Sequence, residues 1–272
     1  MTPPTIYGAQ TPPLDEAAPP CWTVIVPFYN EAEVIGGVIA SLAHQTDAFE
    51  LVLVDNGSQD GSANRAAVAC REEGLAFRLI AECQPGKVAA LNSGLSLART
   101  VYVATCDADT WYPPDYLARA RRLLDAGGAM AGAWFVPQSA GVIRRAMAKI
   151  HLTIAARLFP QQCLTGGAGQ AFHRERLIAA GGFDPGHWDL VLEDHEVCHR
   201  LARLGPIRYD RNLWCDPCDR IRQRPTTRWS LFERIVYHVS ARRFGDWYFY
   251  GFLRPRLVRR RLASAALREV AT

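Results

Sequence analysis

The chain has 272 residues, 49% of them hydrophobic, and 31 Lys and Arg against 27 Asp and Glu, a net charge of +4. A chain of this size can bury a large core and reads as one α/β domain with appendages. No stretch reaches the roughly 18 uninterrupted apolar residues of a spanning helix, and no internal repeat is visible, which excludes a solenoid and predicts a protein at most bound to a membrane surface.

Residues 1–20 are rich in proline and threonine and lack the basic and apolar regions of a secretory signal, so a flexible N-terminal arm is expected there. From Trp22 short apolar runs alternate with amphipathic stretches. Residues 23–28 read as a buried strand, and Asn30 with Glu33 three residues on resembles a capping box opening a helix whose apolar face is Val34, Ile35, Val38, Ile39 and Leu42. A second strand is expected over 50–54, a helix over 62–73, a third strand over 77–80, a helix over 87–99 and a fourth strand over 101–106. This βα alternation predicts a mostly parallel, Rossmann-like sheet flanked by helices. Helices are then expected over 142–158, 174–180 and 194–204, with a flexible glycine loop at 165–169. Beyond Arg228 aromatic residues interleave with arginines, which fits either a helix at a lipid interface or one packed on the core. Stacking on nucleic-acid bases would use the same residues, but no nucleic-acid partner is expected.

Ligands of open α/β sheets bind beyond the carboxyl ends of the strands. Here those ends carry Pro27, Tyr29, Asn30 and Glu31, then Asp55-Asn56-Gly57-Ser58, then Asp107-Ala108-Asp109. Two carboxylates in one loop suit a hard cation such as Mg²⁺ or Mn²⁺. Asp55 also fits a plain Asx turn. Gly86-Lys87 is no Walker loop, since Ala81 and Val88 stand where that motif needs Gly and Ser or Thr. What remains is a helix N-terminus with a cation, suited to a diphosphate. His195-Glu196-Val197-Cys198-His199 matches H-E-x-x-H, a zinc-peptidase signature. The eight cysteines show no disulfide framework, and a reducing cytoplasm is expected. Cys215 and Cys218 have C-x-x-C spacing without a second pair and read as ordinary thiols.

Taken in order, Val26 to Glu31, Val54 to Ser62, Gly86-Lys87 with Asn92 and Gly94, Asp107-Ala108-Asp109, Gly181 to Asp184, and Glu193-Asp194-His195-Glu196 with Arg200 and Gly205 resemble the family-2 glycosyltransferases of GT-A fold, across roughly residues 22–228. The resemblance implies an inverting, metal-assisted transfer of a sugar from a nucleotide-diphosphate sugar to an acceptor hydroxyl on a lipid or saccharide. Pro27, Tyr29, Asn30, Glu31, Asp55, Lys87 and Asp107 would hold the donor, Asp109 with Asp107 the Mn²⁺ or Mg²⁺, and Asp194 beside Glu193 would be the general base. Gly166, Gly167, Gln170 and Trp188 would form the acceptor side. Repulsion between Glu193 and Asp194 is expected to raise one pKa. Processive members carry Gln-x-x-Arg-Trp, whereas Gln223 and Arg228-Trp229 are two residues too far apart, so a single transfer is expected. The expected organisation is an arm (1–20), a transferase domain (21–227) and a basic amphipathic extension (228–272), cytoplasmic and peripheral at the inner membrane face. A zinc peptidase through His195, Glu196 and His199, or a non-catalytic nucleotide-sugar-binding protein, remain open as alternatives.

Overall fold

The computed structural model describes residues 5–10, 19–137, 139, 141–217 and 229–265, with backbone alone at 5–10, 241 and 242. Cys218, Gln223 and Arg228, on which the C-x-x-C and processivity readings rest, lie outside the described residues. Within them, the strands are β1 (Thr5–Gln10), β2 (Trp22–Phe28), β3 (Phe49–Asp55), β4 (Phe77–Ala81), β5 (Tyr102–Cys106), β6 (Thr110–Trp111), β7 (Met130–Phe135), β8 (Gly169–His173) and β9 (Ile207–Pro217). They form one sheet in the order β1-β4-β3-β2-β5-β8-β7-β9-β6. The helices are α1 (Ile35–Ala43), α2 (Ser62–Glu72), α3 (Lys87–Leu97), α4 (Tyr116–Asp125), α5 (Val142–Leu158), α6 (Arg174–Ala179), α7 (Glu193–Leu201), α8 (Leu231–Asp246) and α9 (Arg254–Arg259), with a π-helical segment, Trp247–Leu253, joining the last two.

Strands β4, β3, β2 and β5 are mutually parallel, as the βα alternation demands. The second half of the sheet is mixed: β8 runs antiparallel to both β5 and β7, and β9 is parallel to β7. Regular alternation ends after β5, and the chain reaches β8 through α5 instead of through a simple crossover. Thr5–Gln10, expected within a loose arm, pairs antiparallel with β4 as an edge strand. The predicted capping box at Asn30 is absent. Asn30 adopts a left-handed φ of 53°, a region asparagine tolerates, its Oδ1 accepts from the Gln59 N–H, and α1 begins only at Ile35 after Val34.

Period-2 geometry sends alternate strand residues to opposite faces. Val24, Val26 and Phe28 of β2 and Leu51 and Leu53 of β3 join one core with α1, α2 and α4, while Ile25, Val52 and Val54 join another with α3 and α7. Burial on both sides explains why these strands read as continuous apolar runs. Helix α3 lies so close to the sheet that a Cβ on Gly94 would strike the Ile25 side chain.

The C-terminal segment packs on this body. Tyr248, Phe249, Leu253 and Leu257 are buried with Trp188, Leu190 and Val191, and Ser230 and Glu233 form a reciprocal capping box that starts α8. The outer side differs: Leu231, Phe232, Ile235 and Val239 of α8 are exposed, as are Val142, Ile143, Met147 and Ile150 of α5. No helix among the described residues is long and apolar enough to cross a membrane.

The two glycine environments predict opposite outcomes. Gly94→Ala should cost about 1–3 kcal/mol by overpacking, whereas Gly37→Ala in α1, where nothing lies within 4 Å of the added Cβ, should stabilise by up to about 1 kcal/mol; urea unfolding of both variants checks the signs.

Candidate active site

The carboxyl ends of β2, β3, β4 and β5 meet along one sheet edge. Phe28 pairs with Asp55, and the loops beyond them are tied by Asn30 N–H to Ser58 Oγ at 3.0 Å and Glu31 N–H to Ser62 Oγ at 2.7 Å. The Asp55 carboxylate accepts from Ser58 N–H at 2.9 Å, the Asx turn that its sequence allows. Asn56 is the keystone of this edge: its amide donates to the Glu82 and Gln84 carbonyls, and its Oδ1 accepts from Gly86 N–H at 2.9 Å, which fixes the start of α3. Tyr29 and Asn30 are half-buried here, whereas Pro27 and Glu31 are buried.

Lys87, first residue of α3, reaches across the edge. Its ammonium lies 2.6 Å from Asp107 Oδ1 at the end of β5 and 3.7 Å from Glu193 Oε1 at the start of α7. Burial opposes the charged form, but Asp107 and Glu193 outweigh it and raise the Lys87 pKa above the usual lysine value. The N–H of Asp107 donates to Tyr112 Oη at 2.9 Å, and Tyr112 in turn donates to the Ala168 carbonyl, so the glycine loop is stitched to the Asp107 turn. A Cβ on Gly167 would sit 3.3 Å from Asp194 Cβ and 3.5 Å from Lys87 Nζ; absence of a side chain lets the loop pass between Asp194 and the ammonium. Asp109 is half-buried on the same turn as Asp107, separated by buried Ala108.

Asp194 Oδ1 is held by the N–H of His195 and by its Nδ1, both at 2.9 Å. Burial would raise Asp194, but the His195 charge and hydrogen bonds hold it below the usual carboxylate range. Burial disfavours the His195 imidazolium too, yet the neighbouring Cys163 sulfur and Asp194 carboxylate push its pKa well up. Glu193 behaves oppositely: burial raises it to about 7, with Lys87 pulling down and Asp194 pushing up. Of the two adjacent carboxylates, Glu193 is therefore the one with the raised pKa. Asp194 and His195 open on a cleft of about 680 Å³ walled by Trp134, Phe135, Leu152, Trp229 and Tyr237, with Arg234 and His238 at its polar side.

Several expected residues lie elsewhere. Trp188 is 1% exposed, its Nε1 donating to the Val191 carbonyl, and it fills the aromatic core under α8 instead of facing an acceptor. Gln170 is buried and donates to the Asp194 carbonyl and the Cys163 sulfur, supporting the cleft from beneath. The H-E-x-x-H reading does not assemble. Glu196 is locked in a bidentate pair with Arg200, both bonds at 2.8 Å, and also accepts from Tyr250 Oη at 2.5 Å. His199 bonds Asp246 at 2.9 Å and stacks on Phe249, away from His195.

The sequence reading missed two contacts. His195 supports Asp194, a role that only its adjacency to the expected base could have signalled. Ser264 closes over α3: Leu190 pairs with Ala263, Ser264 N–H bonds the Asp189 carbonyl at 2.7 Å, and Ser264 Oγ accepts from Val88 N–H at 3.4 Å. No local signal in Ser264 points to that.

The pKa of Glu193 predicts a pH signature. A carboxyl raised from 4.5 to about 7 favours the folded state while protonated, and that advantage is lost as pH rises through 7; each unit is worth about 1.4 kcal/mol. Glu193→Gln should therefore leave Tm nearly unchanged at pH 4 and raise it relative to the parent at pH 8, as differential scanning fluorimetry can test.

Comparison with known proteins places the chain in a family. Residues 23–177 match the profile of Glycosyl transferase family 2. The uncharacterized glycosyltransferase YaiP of Escherichia coli (strain K12) is 31% identical over 196 residues, covering 68% of this chain and 48% of that protein. A dodecaprenyl-phosphate galacturonate synthase of Rhizobium johnstonii is 34% identical over 98 residues, 34% of this chain and 29% of its own. The chain thus spans less than half the length of these relatives. Among solved structures, the mannosyltransferase PcManGT from Pyrobaculum calidifontis, in complex with GDP-Man and Mn²⁺, superposes with a TM-score of 0.61 at 26% identity over 83% of this chain and 63% of that one. S. aureus TarS 1-349 in complex with UDP-GlcNAc shares the fold, with a TM-score of 0.58 at 16% identity over 85% and 71%. With a GT-A α/β fold and a family match covering more than half its length, the chain belongs to glycosyl transferase family 2.

Proposed function

We propose that the protein transfers one sugar, with inversion, from a nucleoside-diphosphate sugar to an acceptor hydroxyl presented at a lipid surface. One observation carries this reading: Asp194 stands at the boundary between a cation-and-carboxylate cluster (Lys87, Asp107, Asp109) and an apolar-walled cleft. Donor on one side and acceptor on the other leave the carboxylate between them to take the acceptor proton. His195 grips Oδ1 and fixes the carboxylate's orientation, and the lowered pKa keeps it ionised and able to accept.

Pro27, Tyr29, Asn30, Glu31 and Asp55 form the nucleoside side of the edge, while Lys87 faces the diphosphate position. The donor set at Asp107 and Asp109 is all oxygen and partly exposed, which fits a hard divalent cation, and GDP-Man and Mn²⁺ in the PcManGT complex support it. Bound there, Mn²⁺ or Mg²⁺ would supply Lewis-acid neutralisation of the leaving diphosphate. Lys87, already charged, would add a point charge to the same group. Gly166 and Gly167 let the loop backbone approach Asp194 closely, since a Cβ on either would touch it.

A lipid-borne acceptor is supported by the apolar cleft walls and by the lipid phosphates in the names of relatives such as the Rhizobium synthase. Ala148, Leu152 and Ala155 of α5 and Arg234 and Tyr237 of α8 line the cleft, and the same two helices expose Ile143 and Met147, and Phe232 and Val239, together with Arg144 and Arg243, the pattern of helices lying in an anionic interface. Free thiols at seven described cysteines suit a reducing cytoplasm and the inner membrane face.

Asp109→Ala should abolish Mn²⁺-dependent transfer, and Asp194→Asn should lower kcat by about 10²–10⁴-fold with donor affinity kept, measured by donor turnover and calorimetry across UDP-, GDP- and dTDP-sugars. Near-parental turnover of Asp194→Asn would remove the base role and point to an acceptor that arrives already ionised, such as a phosphate. Separately, Ile143→Glu with Val239→Glu should weaken flotation with anionic liposomes in a salt-sensitive way while shifting stability by less than about 0.5 kcal/mol each, because both sites are exposed.

A further inference from the structure

Beyond the hard-cation site at the β5 end, we propose that Cys163, Asp194 and His195 form a second metal site of different chemistry, selective for zinc, opening on the acceptor cleft. The ligand atoms of these three side chains all lie within 4.8 Å of one another. Zinc bonds of about 2.0–2.3 Å place tetrahedral ligands roughly 3–4 Å apart, so small side-chain rotations close the set. All three residues line the same cleft, which leaves the fourth position to water or a ligand, the arrangement of an open zinc site.

The surroundings are those of a built site. Cys163 is 2% exposed, its thiol donating to the Thr165 carbonyl at 2.8 Å and accepting from Gln170 Nε2 at 3.4 Å. His195 is fixed between Asp194 and the Trp229 ring, whose centroid lies 4.7 Å away. A sulfur, nitrogen and oxygen set favours zinc, and disfavours the Mg²⁺ and Mn²⁺ that suit Asp107 and Asp109. Binding would release the thiol proton and the proton shared between His195 and Asp194, so affinity should rise with pH. This site is not the H-E-x-x-H one, because Glu196 and His199 are committed to Arg200 and Asp246. The consequence for turnover rests on the reading of Asp194 as base: zinc would occupy the carboxylate needed for proton transfer, so one metal would assist the enzyme while another arrests it.

The test uses the full chain, stripped with chelator and kept reduced, and titrated with Co²⁺ and then Zn²⁺. The expected result is one Co²⁺ per chain with a thiolate-to-cobalt charge-transfer band, displaced by Zn²⁺ and accompanied by a rise in Tm. That band should vanish in Cys163→Ser, affinity should fall at least about tenfold in His195→Gln, and both should persist in Asp109→Asn. Should Cys163→Ser fail to fold, the His195→Gln comparison decides. Absence of stoichiometric Co²⁺ binding, or a band unchanged in Cys163→Ser or an affinity unchanged in His195→Gln, overturns the site. Zinc binding without loss of transfer would support the site and count against Asp194 as the base.

Discussion

The ammonium of Lys87 joins two acidic elements that would otherwise repel. Asp107 ends β5 and Glu193 with Asp194 begins α7, and the chain brings them together across a glycine loop with almost no side-chain volume. Close like charges inside a partly dry site are costly, and one cation between them lowers that cost. Glu193, farther from the ammonium than Asp107, keeps the remainder of the burden as a raised pKa near 7. Such crowding of carboxylates is itself what a divalent cation or a positively charged transition state would relieve.

The site divides its carboxylates by environment. Asp194 is tied to His195 and stays ionised, while Glu193, half-buried beside it, tends toward the neutral form. Adjacent residues on one helix turn thereby hold different protonation behaviour, which is what the proposed role of Asp194 as proton acceptor requires. Support comes from further out: Gln170 holds the Asp194 backbone, and the Glu196–Arg200 pair anchors α7 to the Ala180 and Gly182 carbonyls.

Much of the first half was legible because local and tertiary signals agree there. Strands β2 and β3 are apolar on both faces and the intervening helices are amphipathic, so the period shows both element and edge, and Asp55, Lys87 and Asp107 fall where the edge requires. Sequence reading weakened where structure is set by distant partners. Residues 110–135 carry β6, α4 and β7, and β9 runs over residues 207–217, yet none was foreseen, since β6 is two residues long and the helix α4 follows without a strong cap. Trp188 was misplaced because an aromatic beside a glycine-rich turn looks the same whether it faces a sugar or the aromatic core of α8. Asn30 was read as a cap because its side chain serves a residue 29 positions away, Gln59, which no local pattern encodes. The register of Ser264 on Val88 was likewise invisible.

That last contact spans 176 residues and has a bearing on how the protein is made. During synthesis, which proceeds from the N-terminus, the parallel strands β2 to β5 can pair as soon as they emerge, whereas the N–H of Val88 stays without its seryl partner until Ser264, 176 residues later, has been released. Loop-closure entropy grows only slowly with length, so the delay is one of order and not of cost. A nascent or prematurely terminated chain can then possess the sheet edge and its acidic residues yet lack the strap over α3. Release of Ala263 and Ser264, and not formation of the core, becomes the event that finishes this end of the site.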